Sequence, residues 1–282
     1  MENLLINGNT RLYGIIGNPV SHSFSPDMHT RAFKELKINS VYLPFPVQKL
    51  DLPNLLTAFQ LINLQGFNVT VPYKEEIIHY LPEVSEEAEF IGAVNTVIKT
   101  KDSWKGYCTD GSGFIRALKN RQIELKNSKV LLLGAGGAAK AIAFSLLKTS
   151  IAKLDIQNRT KEKADELRSN LSKVNHSIDI SVNSSELTNY DLLINTTSVG
   201  MKDNGIPLPE EQIAKCKQVV DIIYNPPLTP LLHIAKSLEI PYHNGIDMLL
   251  YQGVEAFELW TQRPAPVNIM RESLKNSLAF IK

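Results

Sequence analysis

The stretch KVLLLGAGGAAKAI, residues 129–142, constrains this chain more than any other: a β-forming run enters a glycine turn that opens directly onto an alanine-rich helix. Gly134, Gly136 and Ala139 stand there in GxGxxA spacing. In such a unit the first glycine permits the tight turn and the second lets a pyrophosphate approach the backbone. The small third residue lets the helix pack close to the strand. Ala135, Gly137 and Ala138 fill the rest of the turn, where amide donors and the positive end of the helix dipole suit a phosphate. The turn is expected to hold a dinucleotide; the plain alternative is a tight βα turn with no ligand.

The rhythm around the turn supports that expectation. KVLLLG (129–134), LDIQN (154–158), IDISV (178–182), DLLINT (191–196) and QVVDII (218–223) read as strands separated by helical patterns, as in a Rossmann-type, doubly wound parallel sheet that is complete near residue 243. Upstream, LYGIIG (12–17), VYLPFPV (41–47) and GFNVTV (66–71) also alternate with helical segments. AVNTVI (93–98) and SWKGY (103–107) read as a hairpin turning at Lys101 and Asp102. Two amphipathic helices close the chain, one carrying Met248, Tyr251, Gly253, Phe257 and Trp260, the other Met270, Leu274, Leu278 and Ile281. They are expected to pack back on the first domain. The fold class is therefore α/β in two domains: residues 1–109 with 246–282, and a dinucleotide domain over 110–245. A chain of 282 residues is long enough for two cores.

Composition narrows the partners. A formal net charge of +1 provides no global field for nucleic acid or an anionic membrane, so any anion must meet a local site. The most apolar stretch, Val130 to Leu147, is interrupted by Gly134, Gly136, Gly137 and Lys140 and cannot span a bilayer. The opening MENLLINGNT lacks the basic and apolar regions of a signal peptide, which points to the cytoplasm. Cys108 and Cys216 have no CxxC spacing and are expected to be reduced thiols. His22 and His29 flank a Ser-Pro break without a carboxylate or cysteine cluster, so no metal is expected. A homodimer is compatible with the sequence.

The second strand of the dinucleotide unit selects the ligand. An NAD site commonly ends this strand in an acid that binds the ribose hydroxyls. Here it ends in Asn158, Arg159 and Thr160, with Lys163 close behind. Arg159 can make charge-assisted bonds to a 2′-phosphate, which indicates NADP(H). The alternative leaves Arg159 and Lys163 solvated and Thr160 as a helix cap.

Seven further segments stand in one order: GNPVSHSFSPDMH (17–29), FNVTVPYK (67–74), GAVNT (92–96), GYCTDGSG (106–113), NTTSVGM (195–201), DIIYNPPLTPLL (221–232) and MLLYQGVEAFELW (248–260). With the dinucleotide turn between the fourth and fifth, the chain resembles the shikimate dehydrogenases over nearly its whole length. The resemblance implies NADP-dependent, reversible reduction of 3-dehydroshikimate to shikimate, on the route to chorismate and the aromatic amino acids. It also implies that the first domain, completed by the C-terminal helices, binds the substrate while the second binds NADP. Departures are Cys108 and Thr30, where asparagine is more usual, and Lys163, where arginine is frequent.

Reducing a ketone with hydride produces an alkoxide that needs a proton. Lys74 is the candidate donor: it follows a strand and Pro72 and is expected in the first turn of a helix, where the dipole would lower its pKa. Asp110 precedes a helical run and reads equally as an N-cap; the resemblance pairs it with Lys74 at the reacting hydroxyl. Ser23 and Ser25 resemble the family's carboxylate ligands, although Ser25 before Pro26 also suits a helix cap. Thr70, Asn95 and Gln252 resemble ligands of the ring hydroxyls, and Gln252 interrupts an otherwise apolar helix. Tyr224 resembles the family tyrosine near substrate and nicotinamide, or is a buried strand-end tyrosine. Thr197, Val199, Gly245 and Met248 fall in family segments that approach the nicotinamide.

Overall fold

The structure is a computed structural model that describes residues 6–101, 103–184 and 189–279. Asp102 and Ile281 lie outside the described residues. The chain divides into two compact units, Met1–Thr109 with Leu250–Lys282, and Asp110–Leu249.

The first unit begins with strand β1 (Arg11–Gly17), helix α1 (Ser25–Glu35), β2 (Ser40–Pro46), α2 (Leu52–Leu61) and β3 (Leu64–Val69). It continues with β4 (Glu83–Val84), α3 (Glu86–Ile91), β5 (Thr96–Lys99) and β6 (Trp104–Tyr107). Its six-stranded sheet runs β2-β1-β3-β5-β6-β4. β1 pairs in parallel with β2 and β3, whereas β5 is antiparallel to both β3 and β6. The short β4 extends the edge of the hairpin, an element that its two-residue length hides from sequence patterning. Helix α1 follows its local signals: Pro26 and Asp27 occupy the first turn and Lys34 the last, complementing the dipole. Its buried residues Met28, His29, Ala32 and Phe33 make one face.

In the second unit come α4 (Asp110–Asn120), β7 (Lys129–Leu133), α5 (Gly137–Leu147), β8 (Lys153–Gln157), α6 (Lys161–Val174) and β9 (Asp179–Val182). After them stand β10 (Leu192–Asn195), α7 (Glu210–Ile213), β11 (Val219–Asp221), α8 (Pro230–Ser237) and β12 (Tyr242–His243). All its strands are parallel, in the order β12-β11-β10-β7-β8-β9. Counted within the unit this is the doubly wound order, reversing direction between β10 and β7. Helix α5, apolar except for Lys140 and Ser145, is buried on nearly every side. At Gly111 a Cβ would overlap the carbonyl oxygen of Ala141, so α4 and α5 meet backbone to backbone there.

The chain closes with α9 (Ile246–Thr261) and α10 (Val267–Ala279). Within the first unit, α10 packs on α1, and Ser273 donates a hydrogen bond to Asp27. Trp260 of α9 donates from Nε1 to the Val97 carbonyl at 3.0 Å. Tyr13, His29, Phe33, Tyr42, Phe257 and Trp260 form the aromatic layer of that core, with centroid separations from 4.7 to 6.3 Å. Among the described residues, no helix is long and apolar enough to cross a membrane.

Candidate active site

In the first unit, the predicted substrate residues gather at the carboxyl ends of β1 and β3, the edge where open α/β sheets bind ligands. Ser23 and Ser25 follow β1, and Thr70 and Lys74 follow β3. Main-chain bonds hold these segments side by side: Thr70 N–H donates to Ile16 O at 3.0 Å, Asn18 N–H to Val71 O at 3.2 Å, and Val69 N–H to Asn95 O at 2.9 Å. Ser25 is buried, and Ser23 accepts from the Ser25 N–H at 3.3 Å. Gln252 is half-buried on α9.

Three local expectations need correction. Lys74 does not open a helix; it sits in a turn that precedes a single 3₁₀ turn, Ile77–Tyr80. The reason is tertiary. The Lys74 carbonyl accepts from Val94 N–H at 2.8 Å, and the neighbouring Tyr73 is buried with its hydroxyl donating to Val47 O at 2.7 Å. Both anchors oppose a continuing helix, so a helix dipole acting on Lys74 drops out of the argument. Ser25 is the first helical residue of α1 rather than its cap, a place taken by Phe24 without a side-chain bond. Asp110 likewise opens α4 as its first residue, at the head of the second unit.

Sequence reasoning missed the polar groups beneath this edge. Tyr42, Asn68, Thr96 and Thr109 are all buried and hydrogen-bonded to one another or to Asn95, which is itself 2 % exposed. Burial pushes the Tyr42 hydroxyl well above its ordinary pKa, an effect only partly opposed by its hydrogen bond with Ser25. An alternating strand pattern marks such residues as inward-facing but not as partners.

The second unit places its candidates in the same way, at carboxyl ends. Gly134 and Gly136 follow β7, Asn158 to Thr160 follow β8, Thr197 and Val199 follow β10, and Tyr224 follows β11. Gly134 has φ +109°, and a Cβ there would stand 2.5 Å from Thr196 Oγ1, so the fold itself demands glycine. Gly136 differs: a Cβ would meet nothing within 4 Å. That open space above the backbone fits a phosphate approaching the turn. The first intrahelical bond of α5 runs from Lys140 N–H to Gly136 O, which leaves the amides of Gly137 and Ala138 at the positive end of the helix.

An open groove of about 430 Å³ lies beside the point where strand order reverses, lined by Leu133, Gln157, Asn158, Arg159, Thr197 and Val199 among others. Arg159 is exposed in it, and the acid present on β8, Asp155, is buried within the unit and bonded by Tyr190. Asn158 is fixed by donating from Nδ2 to Thr160 O at 2.7 Å, and Thr160 stands at the N-cap of α6 without a side-chain cap bond. Thr197 donates to Asn195 Oδ1, and Asn195 in turn donates to Asp221, so the buried ends of β10 and β11 are cross-braced. Burial raises the Asp221 pKa against the opposing pull of its hydrogen bonds, chiefly the one from Thr229. Burial also raises that of Tyr224. Gly245 and Met248 lie apart from the groove, lining a small cavity of about 20 Å³ with Phe114 and Val220. Gly245 has a packing reason of its own, since a Cβ would overlap the Ile222 carbonyl.

A parallel doubly wound sheet with a glycine turn at its reversal point, accompanied by a hydroxyl- and amide-rich edge carrying a lysine, defines a dinucleotide-dependent oxidoreductase. Family models agree along the chain: the shikimate dehydrogenase substrate binding domain matches residues 15–97, shikimate / quinate 5-dehydrogenase residues 116–221, and the shikimate 5'-dehydrogenase C-terminal domain residues 245–275. The shikimate dehydrogenase (NADP(+)) of Pyrococcus furiosus is 44% identical over 272 residues, covering 95% of this chain and 96% of that one. Two solved structures are each 34% identical to this chain. Shikimate 5-dehydrogenase from Listeria monocytogenes, in complex with shikimate and NAD, has a TM-score of 0.88 and coverage of 95% and 98%. That from Thermus thermophilus, in complex with NADP(H) and shikimate, has a TM-score of 0.86 and coverage of 95% and 99%. The chain belongs to the shikimate dehydrogenase family.

Proposed function

We propose that this protein catalyses the NADP-dependent, reversible reduction of 3-dehydroshikimate to shikimate in the cytoplasm. The observation that carries the reading is the shared geometry of the two sheets: in each unit, candidate polar side chains and backbone donors collect at the carboxyl ends of parallel strands. Relatives named for this reaction support the substrate and the cofactor.

The second unit suits NADP. Gly134, Ala135, Gly136, Gly137 and Ala138 would hold the pyrophosphate, and Asn158, Arg159, Thr160 and Lys163 the adenosine with its 2′-phosphate. Thr197, Val199, Gly245 and Met248 belong to the nicotinamide side. When bound, NADP(H) supplies the hydride chemistry. On the first unit, Ser23 and Ser25 donate to the substrate carboxylate. Thr70, Asn95 and Gln252 meet the ring hydroxyls, and Tyr224 flanks the substrate. Lys74 and Asp110 take up the hydroxyl proton on oxidation and return it on reduction, acting as a coupled pair.

Initial rates of nicotinamide reduction with shikimate and with quinate, each with NADP and NAD, test the reading. Rapid turnover with shikimate and NADP is expected. Comparable rates with quinate or NAD would select a broader dehydrogenase, and no turnover in a folded sample that binds NADP would select a sensor. In the Arg159→Ala variant, NADP affinity is expected to fall roughly tenfold to a hundredfold and NAD affinity to change little, since Arg159 answers only the extra phosphate. Equal losses would assign Arg159 to the adenosine or the fold.

A further inference from the structure

The polar groups buried beneath the first unit's edge obey a proton accounting that leaves little freedom. Asn68 Nδ2 lies 3.0 Å from the Asn95 carbonyl oxygen, which can only accept, so the Asn68 nitrogen faces it. Asn68 Oδ1 then faces Tyr42, and the tyrosine hydroxyl donates to it at 2.7 Å. The Thr109 backbone N–H, which can only donate, lies 2.8 Å from Asn95 Oδ1 and fixes that amide as well. Thr96 Oγ1 accepts from Asn68 Nδ2 at 3.0 Å and gives its own proton to Asn95 Oδ1 at 2.9 Å. With the amide so fixed, Asn95 Nδ2 donates to Thr109 Oγ1 at 3.1 Å, and the nearest acceptor for the Thr109 proton is the Gln252 carbonyl at 3.0 Å. The two amides are thereby fixed, while the Thr109 hydroxyl also lies 3.2 Å from both Thr96 Oγ1 and Asn95 Oδ1.

Two consequences follow. The Asn95 amide is locked with its oxygen toward Thr96 and Thr109, so it meets a ligand as a donor, through nitrogen. The residue that accomplishes this, Thr109, bonds Asn95 through both its backbone amide and its hydroxyl, reaches α9 at Gln252 with that hydroxyl, and immediately precedes Asp110 in the chain. Asn95, Gln252 and Asp110, all proposed site residues, are therefore tied to one threonine that touches none of the chemistry. Thr109 is itself 3 % exposed, so it has no surface role to compete with this one.

We propose that Thr109 is a positioning residue: it orients Asn95 as a donor to an acceptor oxygen of the substrate and sets the register of Gln252 beside it. The inference rests on the proposed assignment of Asn95 and Gln252 to the substrate. Thr109→Val keeps the shape and the backbone bond but removes the hydroxyl, leaving the Asn95 nitrogen and the Gln252 carbonyl without that partner. Thr109→Ser keeps the hydroxyl and removes a methyl group.

The test is steady-state kinetics of the parent, Thr109→Val, Thr109→Ala and Thr109→Ser, with unfolding followed by tryptophan fluorescence. The expected result is a kcat/KM for shikimate lowered roughly tenfold to a hundredfold in both Val and Ala variants, with KM for NADP unchanged. Thr109→Ser should return to within about threefold of the parent. Combined with Asn95→Ala, the Val substitution should add little, because both remove the same interaction. The proposal is overturned if Ser loses as much as Val, if KM for NADP rises in step, or if the two substitutions are additive. Loss of fold in Val but not Ala leaves Ala to decide. A parent with no shikimate turnover would be seen before any variant is made, and would overturn the proposed function and this inference together.

Discussion

The two units make a ligand edge from the same sheet ends by different means. In the second unit the edge is mostly backbone, a glycine turn and the first amides of α5, encoded within a dozen consecutive residues. In the first unit it is side chain, assembled from residues as far apart as Tyr42, Asn95 and Gln252 through a buried hydrogen-bond network. The contrast teaches that a site written in local backbone can be read by spacing. A site written in tertiary hydrogen bonds has to be seen.

The sharpest way to probe the contrast is to remove a side chain where side chains matter. Lys74→Ala is expected to lower turnover by roughly two to four orders of magnitude, the range for general acid/base catalysis, while NADP affinity stays near that of the parent. Near-normal turnover would remove Lys74 from the chemistry.

The backbone edge is tested by its two glycines, which the structure separates. The Cβ added in Gly136→Val meets nothing within 4 Å, so the thermal midpoint should hold while NADP affinity falls more than about tenfold through lost close approach. Gly134→Val forces a side chain into φ +109° and onto Thr196, and should cost stability by at least about 1–2 kcal/mol with or without cofactor. Calorimetry and cofactor titration on both variants check the pair. Destabilisation by Gly136→Val equal to that of Gly134→Val would erase the distinction between a folding glycine and a ligand glycine.

A smaller effect concerns the cost of side-chain construction. His29 is fully buried against Tyr42, and both ring nitrogens lack a hydrogen-bond partner among the described residues. Burial lowers its pKa to about 3 from an ordinary 6.5. The folded state therefore binds fewer protons than the unfolded one. The first unit's stability is whole above pH 6.5 and falls as pH drops toward 3, by about 2 kcal/mol at pH 5. His29→Phe should flatten this acid slope in urea titrations. Trp104 and Trp260, the chain's two tryptophans, both lie in the first unit and report on it selectively. An unchanged slope would place the acid sensitivity elsewhere.

The strand rhythm, the doubly wound order and the glycine turn were all legible in the sequence, because each depends on local periodicity and on glycine's backbone freedom. Arg159 without an acid beside it was legible for the same reason. Lys74 is a candidate from the sequence, but its local setting differs from the helix start expected there. Pro72 signals a helix start, and only the distant bonds of Lys74 to Val94 and of Tyr73 to Val47 show why a turn forms instead. Gly245 shows the opposite limit, since proximity to Ile222 gives it a packing role that no spacing announces. Asn68, Thr96 and Thr109 were invisible as a set, because each is an ordinary polar residue until the fold brings it to its partner.

Hydrogen–deuterium exchange of the intact chain, measured alone, with NADP and with shikimate, tests most directly the claim that each unit carries its own ligand edge. NADP is expected to protect residues 134–140 and 158–163, and shikimate residues 68–74 and 95–109. Protection of the glycine turn by shikimate alone, or of the Asn95 segment by NADP alone, would contradict the account.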